Sequence, residues 1–98
     1  MYDVYDRISA LVMGQTIYVD YQDTLWFEAA QEPNIPLIEA LKAAQARGIR
    51  VEMWTHEPFA ETVRRVKVMK QHGLVFNDVH CEIDKPGGII IDNLAVAP

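Results

Sequence analysis

The chain of 98 residues has a single cysteine, Cys81. One thiol cannot close an internal disulfide, so the fold is not expected to depend on an oxidising compartment, and a reduced cytoplasm is the expected setting. No run of Lys or Arg occurs. Nine basic residues against fourteen acidic ones leave a formal charge of −5, which argues against a surface that tracks phosphodiester backbones. No stretch approaches the ~20 apolar residues of a membrane span. The opening residues place Asp3 and Asp6 ahead of Arg7, unlike the charge order of a signal peptide. Neither nucleic acid nor membrane is therefore an expected partner. His56, His72, His80 and Cys81 lack the paired CxxC or HExxH spacing of a zinc site.

What is present is a globular balance, half hydrophobic and 23% charged, sufficient for one domain with one modest core. Val4, Tyr5, Ile8, Leu11 and Val12 recur at helical spacing, which predicts a short amphipathic helix ending at Gly14. Residues 16–20 (TIYVD) read as a first strand buried on both faces. Residues 20–33 read as a loop or small flap without a regular element, its Trp26-Phe27 pair more suited to packing than to a lid. Asn34 caps a helix whose apolar face is Ile35, Leu37, Ile38, Leu41 and Ala44, stopped by Gly48. A second strand covers residues 49–54. A third helix runs from Pro58 to about Gly73, with Phe59, Val63, Val66 and Met69 inward and Arg64, Arg65 and Lys67 as a solvated face. Residues 79–83 and 89–91 complete the strands, with an Asn77-Asp78 turn before the former. The order predicts an α/β fold with a mainly parallel sheet of about four to five strands flanked by helices.

In open α/β sheets, ligands gather beyond the carboxyl ends of the strands. That rule selects Asp20, Thr55, Lys85 and Asp92. Two carboxylates, a hydroxyl and an ammonium in one crevice suit a divalent cation and a phosphoryl group.

At these positions VDYQDTLW, MWTHEP, DKP and IIIDN resemble, in order and spacing, the four motifs of the haloacid dehalogenase-like (HAD) phosphohydrolase superfamily. The likeness covers residues 16–96 and is nearest to small members without a large cap. It implies a single capless Rossmannoid domain over residues 1–98, with residues 1–14 as an N-terminal helix. By that resemblance Asp20 is the nucleophile that forms an aspartyl-phosphate. Asp20, the Gln22 carbonyl and Asp92 would hold Mg2+. Thr55 and Lys85 would bind the phosphoryl oxygens, and Thr24 would hold the turn.

Departures from the pattern carry their own expectations. The family's phosphatases have an acid/base Asp where this chain has Gln22, and an amide does not exchange protons near neutral pH. Asp23 stands at the family's usual glycine, where a turn role outweighs a catalytic one. Asn93 removes one outer negative charge from the metal site. The expected activity is therefore a slow Mg2+-dependent phosphatase acting on a small phosphorylated substrate or a phosphoprotein. The alternatives are a non-catalytic Mg2+/phosphate-binding or protein-interaction module and a phosphotransferase. Only residues 94–97 remain for a fifth strand, so a truncated sheet, the N-terminal helix or a second copy of the chain are the candidate solutions at that edge.

Overall fold

The computed structural model describes residues 4–81, 89–91 and 96–97, the last two segments as backbone strands. A six-residue helix α1 (Val4–Ser9) leads into β1 (Thr16–Val19). A small hairpin follows, β2 (Trp26–Phe27) with β3 (Glu32–Pro33), and then α2 (Ile35–Ala46), β4 (Arg50–Thr55), α3 (Phe59–Gln71) and β5 (Asp78–Cys81). Two short strands, β6 (Ile89–Ile91) and β7 (Val96–Ala97), come last.

The protein is an α/β domain with a mostly parallel sheet in the order β5-β4-β1-β6-β7. The three strands of four or more residues, β5, β4 and β1, form its regular parallel core. Three-residue β6 adds to β1 in parallel, and two-residue β7 pairs antiparallel with β6. Residues 96–97 thus pair within the chain itself. Registers are regular: Val19 lies opposite Met53 on one side and Ile91 on the other.

Two crossovers, β1 to β4 and β4 to β5, step in the same direction across the sheet. Connections of this kind are right-handed, which puts α2 and α3 on one face. The core agrees, joining Ile17, Val19, Val51 and Met53 of the sheet to Leu37, Ile38, Leu41 and Ala44 of α2 and Met69 of α3. Replacing a fully buried residue such as Leu41 with Ala would cost about 2–5 kcal/mol. Because the helices cover one face, β1 alternates between buried Ile17 and Val19 and half-buried Thr16 and Tyr18. The expectation of burial on both faces fails at Tyr18 for that reason.

Asn34 caps α2 as expected, its Oδ1 accepting from Leu37 N, and Gly48 ends the turn after it at φ 86°. Ile35, at the start of the helix, is exposed. α1 is shorter than its apolar spacing predicts. Arg47 accounts for its end, donating to the carbonyls of Ile8, Ser9 and Leu11 and satisfying acceptors that the helix leaves open. The flap read as irregular contains the β2–β3 pair. Its turn is held by Asp23, whose Oδ1 accepts from Glu28 N, and by Gln31, which donates to Glu28 O. Trp26 packs against the core and stacks on Tyr21.

Candidate functional site

β1 and β4 end side by side, and the chain leaves them at Asp20 and Thr55. Both residues line a small cleft of about 130 Å³ together with Gln22, Trp54, His56, Glu57 and Arg65. Three of the residues selected from sequence, Asp20, Gln22 and Thr55, are thus brought together. Lys85 and Asp92 lie outside the described residues. The backbone that precedes Asp92 is described: Ile91 is the registered partner of Val19, and Asp20 and Asp92 are the next residues along their chains.

Asp20 is half-buried, and its Oδ1 accepts from the following N–H, that of Tyr21, at 2.8 Å. This bond fixes the rotation of the carboxylate. Gln22 is exposed at the cleft, with its carbonyl 3.5 Å from Thr24 Oγ1. Thr24 is buried; its N–H donates to Tyr21 O and its carbonyl accepts from Asn34 Nδ2, so it does hold the turn. Asp23 has φ 53°, a left-handed conformation that glycine adopts freely and Asp tolerates better than most residues. With its carboxylate bonded to Glu28 N, Asp23 serves the turn.

Thr55 is buried at the end of β4. Its Oγ1 accepts from Glu57 N at 3.1 Å and from Arg65 Nη1 at 3.4 Å. With both bonds accepted, the hydroxyl proton is left to be donated elsewhere. The cap position of α3 is Pro58.

Arg65 corrects the reading of α3. Its side chain is 7% exposed, with Nε 3.1 Å from Glu61 Oε1 and Nη2 3.7 Å from Glu57 Oε1. The guanidinium carbon lies 4.8 Å from the centre of the Tyr21 ring, within cation–π range. The buried residues of α3 are Thr62, Arg65 and Met69, spaced by three and four, whereas Phe59 is 71% exposed. The inward stripe is therefore rotated from the one that apolar residues alone mark. The available signal was the Glu61 and Arg65 pair at i,i+4, which neutralises the cation as it enters the interior. Burial raises the Tyr21 phenol above its usual range, with Arg64 and Arg65 opposing that effect.

No protein-family model, curated protein or solved structure matches the chain. What it does chemically has to be read from its own side chains. The cleft joins a positioned carboxylate, a hydroxyl with its proton directed away from two donors, and a buried guanidinium. Among the described residues, the Asp20 carboxylate and the Gln22 carbonyl are hard oxygen donors of the kind Mg2+ takes. No helix of the described residues is long and apolar enough to cross a membrane.

Proposed function

We propose that the chain is a Mg2+-dependent phosphohydrolase with a HAD-like Rossmannoid core, slow in turnover and acting through Asp20. The observation that carries the reading is the shared cleft of Asp20 and Thr55 at the ends of adjacent parallel strands, with Asp92 following the registered partner of Val19. An Asp20 carboxylate oxygen attacks phosphorus, the ester oxygen departs with its electron pair, and water then cleaves the acyl phosphate to regenerate the carboxylate. Thr55 donates to a phosphoryl oxygen, and Lys85 neutralises the group in transfer. Arg65 acts as a positioning residue, holding Thr55 Oγ1 as an acceptor. Asp20, the Gln22 carbonyl and Asp92 would hold Mg2+, which would supply neutralisation of the anionic charge.

Gln22 cannot protonate the leaving oxygen, so good leaving groups are favoured. Hydrolysis of aryl phosphates should require Mg2+, vanish in Asp20→Asn, and fall steeply as leaving-group pKa rises. A flat dependence, or activity surviving in Asp20→Asn, would overturn the assignment. The substrate in this reading is a small phosphorylated compound or a phosphoprotein, in the cytoplasm, handled by a monomer or a homodimer.

Gln22 also favours a second reading, a non-catalytic module that binds Mg2+ and phosphate. Calorimetric binding of Mg2+ and a phosphate mimic without turnover of any phosphate ester would select it. Turnover only with an acceptor other than water would select a phosphotransferase.

A further inference from the structure

The face of the sheet opposite α2 and α3 carries a second group of polar side chains. Glu52 on β4 lies directly opposite Asp78 on β5, and His80 follows two residues later on the same face. His80 Nε2 is 2.6 Å from Glu52 Oε1 and 4.0 Å from Asp78 Oδ2. One ligand atom from each of the three residues lies within 4.8 Å of the others. None of the three residues lines the Asp20 cleft, so the two groups are distinct.

We propose that Glu52, Asp78 and His80 form a binding site for a divalent transition-metal ion, with Zn2+ as its simplest probe. An imidazole and two carboxylates are the donors such ions take, and a three-residue set leaves positions for water. The remaining carboxylate oxygens are already engaged. Arg50 Nε donates to Glu52 Oε2 at 3.2 Å, and Val79 N donates to Asp78 Oδ1 at 2.8 Å. Each bond turns the other oxygen toward His80, the orienting role that outer hydrogen bonds play around bound metals.

The ion would take the place of the proton between His80 Nε2 and Glu52 Oε1. Ligands at about 2.1 Å from a tetrahedral ion stand about 3.4 Å apart, so the pair must open by about 0.8 Å. Glu52 is buried, whereas Asp78 is exposed and His80 about a quarter exposed, which gives the ion a route from the edge of the sheet. β5 is that edge. A metal joining its side chains to β4 would clip the strand to the sheet, and its binding free energy would add to folding. No spacing motif announces the site because its ligands come from two strands.

Titration of the metal-stripped full chain with Zn2+, by calorimetry and by the rise in Tm, tests the proposal, with Co2+ absorption reporting the ligand set. One equivalent should bind and raise Tm. Asp78→Asn, an exposed change that spares the fold, should weaken binding at least ~10-fold, as should Glu52→Gln. Asp20→Asn and Cys81→Ser should leave binding unchanged. Absence of stoichiometric Zn2+ binding, a thiolate-to-cobalt absorption band that Cys81→Ser abolishes, or binding indifferent to both Asp78→Asn and Glu52→Gln would overturn it.

Discussion

Arg65 Nη1 donates to Thr55 Oγ1 across 3.4 Å, from a guanidinium that is itself almost wholly buried. The contact ties the middle of α3 to the end of β4, and it fixes which way the Thr55 hydroxyl can donate. Glu57 and Glu61 balance the charge from positions that remain partly in solvent.

Replacing Arg65 with Met keeps much of the stem and removes these bonds together with the contact to the Tyr21 ring. The carboxylate partners can rehydrate, so the expected loss is about 1–3 kcal/mol, below that of breaking a fully buried pair. Urea unfolding measures it. Stability equal to wild type would show that the guanidinium contributes nothing net.

Asn77 makes a second tie that sequence reading took for a plain turn. Its Oδ1 accepts from Val51 N at 2.7 Å and from Gln45 Nε2 at 3.2 Å, while its own N–H donates to Val51 O. Asn77→Ala leaves the N–H of buried Val51 without this acceptor and should cost about 1–3 kcal/mol by chemical denaturation. Asn77→Asp, which keeps an acceptor oxygen, should cost less than Ala. If the two variants are equally stable, the side-chain acceptor is not what matters.

These two residues mark the limit of what could be read from the sequence. The strands, the two longer helices and the parallel order follow from periodicity, caps and crossover lengths, which are local. Asp20 and Thr55 converge because strand ends in a parallel sheet are neighbours, a rule that needs no contacts. Asn77 escaped because its role depends on a partner 26 residues away, and the bond of Arg65 to Thr55 spans 10 residues, although its pairing with Glu61 one turn back was a local signal. A cation or an amide reads as solvated until its partners are known. Phe59 erred the other way, an apolar side chain at helical spacing that the helix start leaves in solvent.

Glu61 gives a pH prediction. Hydrogen bonds from Arg64, with Arg65 adding to them, hold its carboxyl down at about 2 from an ordinary 4.5. A depressed carboxyl pKa contributes stability that is fully present above the unfolded value and is lost as pH falls toward the folded one. The contribution should therefore fade between about pH 4.5 and 2. Glu61→Gln should flatten the stability profile in that window, measured by unfolding at a series of pH values. An unchanged slope would contradict the assignment.

Gln22→Asp introduces a proton-exchanging group at an exposed position of the cleft. Turnover of alkyl phosphates should rise, by up to the ~10²- to 10⁴-fold that general acid catalysis supplies. Aryl phosphates should gain less. Adding Asp20→Asn should remove turnover in either background, as steady-state assays on the four proteins would show.

The most direct test is a crystal structure of the chain with Mg2+ and beryllium fluoride. Beryllium should be bonded to an Asp20 carboxylate oxygen, with a fluoride accepting from Thr55 Oγ1 and Mg2+ shared by Asp20, the Gln22 carbonyl and Asp92. An unmodified Asp20, with the Asp92 side chain directed away from it, would contradict the proposed chemistry.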